Sequence, residues 1–488
     1  MKNKIDLKKC IWAMLAALAF AGALYANNKV LIISFEQLLF GLVKIKGGGA
    51  TTVSYGVLYI IIAFIIICPI VLLPVIDFGK KVVFNIKNKS FQLYPIKKIK
   101  SYGICLLVIA IFELFHAFQL FPFIKNTIFS NTDLFDDYYV ESSSVDITFP
   151  AQKRNLIYIF VESLESSNVS SLNGGLFEES IVPNLEKMAL DNINFSNTDK
   201  IGGAYYSYGT NWTSGALIAN TAGVPLKVTL DDFNVNSLKF NNVTSLGDIL
   251  SQNGYNNYLL LGSDADFGSR RSYFANHNYL IKDYTTAFDD GIIEDGYYEW
   301  WGYEDAKLFD YAKMLLDDIA DDSKPFNFTM LTADTHFTDG YLDKTCDEKF
   351  DNPYSNSFYC SDGMINEFIE WLKEQDFYDN TTIIIAGDHL TMQDGFYESD
   401  DYSDRTIYNV FINASVSGDY NSKNRVFTVM DMFPTTISAL GADIEGDRLG
   451  LGTNLFSDKK TIPEIIGIDE FNLELTKGSY YYYNYIRK

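Results

Sequence analysis

Between Val53 and Ile76 the chain carries no charged residue and is almost wholly apolar. A stretch of that length and composition is suited to cross a bilayer as a helix, because only a helix satisfies its own backbone there. Cys10–Ala26 is a second apolar, uncharged run, and Tyr102–Phe123 a third. Three spans are therefore expected, near 10–26, 53–76 and 102–123. Ala21-Gly22-Ala23 would also suit cleavage of a signal peptide; the spans that follow favour an anchor. Val30–Val43 is interrupted by Glu36 and too short to cross, so it is expected to lie at the membrane face. Lys80, Lys81, Lys87, Lys89, Lys97, Lys98 and Lys100 then follow with no acid after Asp77. Such a segment stays cytoplasmic, which returns the third span outward and places the remaining chain outside. Glu113 and His116 share one face of that third span, three residues apart. Their simplest role is to pair with each other or to lie near the interface.

Charge divides the chain in the same place. Residues 1–101 hold 14 lysines against Asp6, Glu36 and Asp77, about +11, whereas the remainder holds 25 basic and 59 acidic residues, about −34, for a net −23. A domain that acidic is no partner for nucleic acid. Cys10, Cys68 and Cys105 lie in apolar segments and read as packing residues. Cys346 and Cys360 lie in the acidic part. A free pair is the simple reading, but outside the cytoplasm the two are expected to be joined.

Residues 124–153 are polar and weakly patterned, and are expected to be a juxtamembrane linker. Beyond Arg154, strand patterns (Asn155–Val161, Tyr258–Leu261, Phe326–Leu331, Thr381–Gly387) alternate with helical ones (from Pro183, Ala306–Ile319, Ile365–Leu372). That alternation predicts an α/β sandwich around a mostly parallel sheet. Thr381–Gly387 is a short β-branched run, followed at once by Asp388 and His389. Asn155–Val161 is followed at once by Glu162. If the two strands are neighbours, all three side chains meet at the carboxyl edge, where open α/β sheets bind ligands. Carboxylate and imidazole together suit a divalent metal. Between these strands lies Gly209-Thr210-Asn211-Trp212-Thr213-Ser214-Gly215, a polar loop running into a small-residue helix with Thr213 at its expected N-cap. Alone, such a threonine is a cap. Beside a cation, at a helix N-terminus, its hydroxyl becomes a candidate nucleophile toward phosphate.

At this point the sequence resembles the phosphoglycerol transferase and lipoteichoic acid synthase group of the alkaline phosphatase–sulfatase superfamily. The stretches that carry the resemblance are Tyr158–Glu165, Trp212–Gly215 through Gly223–Leu226, Ser245–Leu250, Trp301-Gly302 with Asp305, Thr335-His336, Cys360–Asp362, Gly387–Met392 and Leu449–Gly452. They fall in the family's order over roughly residues 150–458. The resemblance implies a sulfatase-like catalytic domain over 154–458, after an anchor at 1–123 and before a tail at 459–488. It implies Glu162, Thr213, Asp388 and His389 as metal ligands and Thr213 as nucleophile. Arg270 matches a phosphate-binding basic residue, with Arg271 one register away. His336 matches a phosphate-binding or proton-moving histidine. Asp264 is a candidate for holding glycerol, and Trp301 is read as packing, with a pocket-lining role as its second reading. Glu165 reads as a solvated helix residue and Arg405 as structural.

The activity implied is transfer of glycerophosphate from phosphatidylglycerol, through a threonine-linked intermediate, to an envelope glycan or polyglycerolphosphate chain. The setting implied is the bacterial plasma membrane, with the catalytic domain on the extracytoplasmic side. The group favours manganese for phosphoglycerol transfer, with magnesium or zinc as alternatives. A phosphoethanolamine transferase is the runner-up. A sulfatase proper would need a Cys/Ser-x-Pro-x-Arg site, which Thr213-Ser214-Gly215 is not. A catalytically dead receptor would not need an intact ligand set.

Overall fold

The computed structural model describes residues 7–29, 50–86, 89–227, 240–320, 322, 324–393, 395–397, 404–416 and 418–487. The segment expected at the membrane face, 30–43, and Lys87 lie outside the described residues. The chain divides into two compact units, one drawn from described residues up to Phe129 and the other from Ser130 onward.

The first unit contains helices α1 (Leu7–Lys29), α2 (Ala50–Leu72), α3 (Ile99–Ala117) and α4 (Leu120–Phe129), with a hairpin of β1 (Val82–Ile86) and β2 (Lys89–Tyr94) between α2 and α3. The lysine-rich segment is thus partly strand, where a loop was expected. Among the described residues two stretches are long and apolar enough to cross a membrane, Val57–Val75 and Ile99–Ala117, while Cys10–Tyr25 is a shorter apolar helix. The span expected at 102–123 is interrupted after Ala117, because Gln119 adopts φ 53° and starts a new helix. α1 and α3 approach closely because their facing residues are small. A Cβ on Gly103 would stand 2.7 Å from the Ala13 nitrogen. Ala13, Ala16, Ala17 and Ala110 are fully buried beside it, which is the small-residue packing that apolar helices use where water offers no drive. Glu113 and His116 are exposed.

The second unit is organised on a seven-stranded sheet. Its strands are β3 (Asn155–Val161), β4 (Gly203–Tyr205), β5 (Asn256–Leu261), β6 (Tyr279–Lys282), β7 (Phe326–Leu331), β8 (Thr381–Gly387) and β9 (Thr406–Ile412), in the spatial order β4-β9-β8-β3-β7-β5-β6. β8, β3, β7, β5 and β6 run parallel. β9 lies antiparallel to β8, and β4 antiparallel to β9. Every residue of β3, β7, β8 and β9 is buried, as apolar strands covered on both faces must be.

Alternation splits each strand between two layers. Ile157, Ile159, Ile383, Ile385, Phe328 and Met330 form one core with Leu308, Leu316, Phe358, Ile365 and Phe368. The last five come from helices α6 (Asp305–Ala320) and α7 (Pro353–Lys373); α7 starts where the Asn352 side chain accepts from the Tyr354 and Ser355 amides and Pro353 occupies the first turn. On the other face Tyr158 donates to Asn220 at 2.9 Å, tying the sheet to helix α5 (Thr213–Ala222). Each isoleucine buried this way contributes roughly 1.5–3 kcal/mol.

Two segments expected to lie outside this domain are packed within the unit. In the expected linker, Leu134 and Phe135 are buried and Ile147–Thr148 pairs with Asp443–Ile444. In the expected tail, Thr461 caps Ile462–Ile466, Glu464 accepts from Arg425 at 2.7 Å, and helix α8 (Ile468–Thr476) buries Phe471 and Leu475. In the same tail Tyr480 is exposed and Tyr482 is fully buried. Cys346 and Cys360 are joined by a disulfide.

Candidate active site at the carboxyl edge of the sheet

β3 and β8 pair in parallel with Val161 opposite Gly387. The next residues, Glu162 and Asp388, are therefore side by side by register alone. Gly387 is required at this point, since a Cβ there would sit 1.9 Å from the Leu164 carbonyl oxygen. Ser163 turns the chain away at φ 58°. Its amide donates to Asp388 Oδ1 at 2.8 Å, and its hydroxyl donates to Glu162 Oε1 at 2.8 Å. The His389 amide also donates to Asp388 Oδ1, at 2.7 Å. Asp388 Oδ2 is left buried with no hydrogen bond. His389 directs Nδ1 to the Leu390 carbonyl at 2.8 Å, so Nδ1 carries the proton and Nε2 presents a lone pair. That Nε2 lies 3.4 Å from both Glu162 Oε1 and Asp388 Oδ2.

Ligand atoms of Glu162, Asp388 and His389 all fall within 4.8 Å of one another, and all three residues are buried. Burial, then the charge of Glu162, pushes the Asp388 carboxyl up to about 7. Burial pulls His389 down, but Asp388 and Glu162 outweigh it and hold the imidazole above its usual range. Two buried carboxylates, with an imidazole Nε2 turned toward both and one carboxylate oxygen without a hydrogen bond, fit a divalent cation, which would take the place of a proton on Nε2.

Thr213 joins this group from a distant part of the chain. Its Oγ1 lies 3.2 Å from Glu162 Oε2 and 3.5 Å from His389 Nε2. It was expected at the N-cap; the structure places Trp212 there, at φ −152° and ψ 155°, and Thr213 at the first helical residue. Extension at Trp212 shifts the start of the helix by one residue, so the Thr213 hydroxyl is directed at Glu162 instead of capping the helix. Thr213 is only partly buried, which leaves its oxygen within reach of substrate.

Arg270 is buried, with Nε donating to the Phe267 carbonyl at 3.0 Å and Nη2 to Ser263 Oγ at 3.0 Å and the Asp264 carbonyl at 2.9 Å. Burial lowers its pKa to about 10, opposed by Glu162, Asp264, Asp283 and Asp388, so the guanidinium stays charged and feels both site carboxylates. Arg271 is occupied by Asp283, and by Asp266 at 2.9 Å. Asp264 is not brought to the cluster. Its carboxylate accepts from the Asp266 amide at 2.8 Å and lies 3.7 Å from Arg271.

His336 stacks on Phe337 and meets the Trp301 ring at a tilt of 55°, at 4.7 and 4.5 Å between ring centroids. Trp301 also meets Phe267 at 5.6 Å, so its ring joins the Arg270 loop to the His336 loop. Nδ1 of His336 faces the Phe337 carbonyl. Burial, with His389 and Arg270 adding to it, brings this imidazole down to about 4. It is therefore neutral at ordinary pH, with Nε2 unprotonated.

Several residues support the site by holding the backbone around it. Asp305 accepts from the Ala333 and Asp334 amides at 2.8 and 3.0 Å, and Asp334 accepts from the Asp305 amide at 3.1 Å. This reciprocal pair fixes the turn that carries His336; burial raises both carboxyls, Asp305 to about 7. Glu165 corrects the expectation of a solvated residue: it is fully buried. It accepts from the Thr391 amide at 2.8 Å and pairs with both Nε and Nη2 of Arg405, the former at 2.9 Å. Arg405 in turn covers the Tyr397 ring at 4.5 Å. The pair anchors the loop that follows Asp388 and His389. Glu165→Ala is expected to destabilise the protein by about 3–5 kcal/mol, because it strands a buried guanidinium. Glu165→Leu with Arg405→Met should recover most of that loss; urea unfolding of the single and double variants measures both.

Residues 154–442 match the sulfatase family, and the chain belongs to that family, within the alkaline phosphatase superfamily, whose members bind a divalent metal. It is homologous to phosphoglycerol transferase I of Escherichia coli, with 28% identity over 351 residues, which is 70% of this chain and 43% of that protein. The match thus takes in less than half of the relative's length. Two solved structures share the fold. Integral membrane lipooligosaccharide phosphoethanolamine transferase A from Neisseria meningitidis aligns with a TM-score of 0.52 at 14% identity, over 90% of this chain and 85% of its own. Lipoteichoic acid synthase LtaP from Listeria monocytogenes aligns with a TM-score of 0.50 at 18% identity, over 66% of this chain and 81% of its own.

Proposed function

We propose that the protein is a membrane-anchored phosphoglycerol transferase that moves glycerophosphate from phosphatidylglycerol, by way of Thr213, to an envelope glycan or polyglycerolphosphate acceptor. The observation that carries this reading is the Thr213 hydroxyl, at a helix start, 3.2 Å from Glu162 and 3.5 Å from His389 beside the orphaned Asp388 oxygen. Glu162, Thr213, Asp388 and His389 would hold the cation, which we assign as manganese. A divalent cation supplies Lewis acidity, making the threonine hydroxyl more acidic and offsetting phosphate charge.

Thr213 Oγ bonds to phosphorus as the bond to diacylglycerol breaks, and the proton that the threonine hydroxyl gives up passes to the departing diacylglycerol oxygen. The amide end of α5 and the Arg270 guanidinium face the charge on the phosphoryl oxygens. An acceptor hydroxyl then gives its proton to neutral His336 at Nε2 and attacks phosphorus; the bond to Thr213 breaks, and the proton held by His336 returns to the leaving threonine oxygen. The net exchange is phosphatidylglycerol plus alcohol to diacylglycerol plus glycerophosphoryl alcohol. Trp301 keeps His336 and the Arg270 loop in one arrangement.

The resemblance supports a multi-pass anchor in the plasma membrane, with the catalytic unit on the extracytoplasmic side. The lysine-rich segment and the Cys346–Cys360 disulfide support the same placement. Phosphoethanolamine transfer is the second reading; the likeness of fold to a phosphoethanolamine transferase over 90% of the chain keeps it in view. One experiment tests both. The protein is incubated with manganese and either labelled phosphatidylglycerol or labelled phosphatidylethanolamine, and diacylglycerol release and the mass added to the Thr213 peptide are followed. A glycerophosphate adduct from phosphatidylglycerol is expected. An ethanolamine phosphate adduct moves the assignment to the second reading, and no adduct with either lipid rejects both.

A further inference from the structure

The nucleophile's loop is held by a residue well outside the family match, which ends at residue 442. Asn472 lies on α8, where Phe471 and Leu475 form the buried face. Its side-chain Oδ1 accepts from the Tyr208 amide at 2.8 Å, and its Nδ2 donates to the Tyr206 carbonyl at 3.1 Å. One amide thus satisfies a backbone donor and a backbone acceptor two residues apart, as a neighbouring strand would. The loop it grips runs straight into the site. Gly209 turns at φ 82°, and its carbonyl accepts from the Leu226 amide at 2.9 Å. Thr210 closes on Ser207 through its amide at 3.2 Å and its hydroxyl at 2.8 Å. Trp212 and Thr213 follow directly.

The same C-terminal segment also holds the chain beyond α5. The Tyr482 hydroxyl donates to the Pro225 carbonyl at 2.7 Å and accepts from the Lys227 amide at 3.0 Å. Residues 472 and 482 therefore bracket the nucleophile helix, one before it and one after it. Of the two, Asn472 bonds the side that leads into Thr213.

We propose that Asn472 is a positioning residue for Thr213: by bonding Tyr206 and Tyr208 it sets where the nucleophile's oxygen stands relative to Glu162 and His389. The inference rests on the assignment of Thr213 as nucleophile. A loop freed of this clamp misplaces the oxygen while leaving lipid binding intact, and a shift on the order of 1 Å costs about 100-fold in rate.

The test compares full-length Asn472→Ala, Asn472→Asp and Phe471→Leu with the wild type in detergent. Asn472→Ala is expected to lower kcat for diacylglycerol release by roughly 10- to 100-fold with KM for the donor within about twofold. Asn472→Asp keeps the acceptor for the Tyr208 amide and loses the donor to Tyr206, so it should fall between. Phe471→Leu loosens the same helix from within and should lower the melting temperature with little change in kcat at low temperature. Amide exchange across residues 206–216 gives a reading that needs no turnover. It should be faster by about tenfold or more in Asn472→Ala and near normal in Phe471→Leu, as expected when one local opening is eased. Wild-type kcat in Asn472→Ala, unchanged exchange there, or a loss that merely tracks melting temperature as in Phe471→Leu would overturn the proposal. A wild type inert to both lipids sinks the assigned activity instead, and the exchange comparison still decides whether Asn472 holds the loop.

Discussion

Thr213→Ala is expected to abolish transfer, by about 10⁴-fold or more, and to leave the protein folded. The rate term is large because the variant has no oxygen with which to form the phosphothreonine. The stability term is small because the hydroxyl does not cap α5: Trp212 occupies the cap, and no side-chain bond closes it. Glu162, Asp388 and His389 are untouched, so manganese should still bind, more weakly. Thr213→Ser keeps the hydroxyl and should retain measurable turnover. Steady-state diacylglycerol release and mass spectrometry of the Thr213 peptide check all of this. A Thr213→Ala protein that turns over at the wild-type rate would mean that no covalent step passes through this residue.

The second large effect concerns charge at the rim of β8. In the metal-free protein, burial and Glu162 hold the Asp388 carboxyl up at about 7. A folded-state value raised that far means the protein is better off protonated there. The contribution is fully present below the ordinary aspartate range and is lost as pH rises through about 7. Metal-free wild type should therefore melt lower at pH 8 than at pH 6. Asp388→Asn removes this ionisation, so its metal-free form should lose less over the same interval. Manganese should reverse the order. At a hundredfold excess over Kd it stabilises the wild type by about 2.7 kcal/mol, and Asp388→Asn should gain almost nothing and show no transfer. Thermal melts at the two pH values, with and without manganese, test the whole pattern. Equal manganese stabilisation of both proteins would remove Asp388 from the ligand set.

Much of this site was legible in the chain itself. Asn155–Val161 and Thr381–Gly387 are short, apolar and β-branched, and each stops at a polar residue, so their type and end points follow from local pattern. Once both belong to one parallel sheet and end in register, Glu162 and Asp388 fall in neighbouring positions. The exchange of cap from Thr213 to Trp212 was not legible, because it depends on the backbone angles of one residue. Glu165 and Arg405 are partners across 240 positions, and nothing near either residue marks the other. The antiparallel placement of β9 beside β8 is a matter of topology, to which an apolar run of either direction is indifferent. That Asp264, Asp266 and Asp283 all gather on Arg271 was not legible either, because it depends on how the loop between them folds back.

The packing of residues 462–487 onto the catalytic unit bears on how a water-soluble form should be cut. A fragment ending at residue 442, where the family match stops, would discard Asn472 and Tyr482 and uncover the seats of Phe471 and Leu475. Expression trials are better designed to start near Ser130 and to run through Ile486, in an oxidising host compartment that lets Cys346 find Cys360.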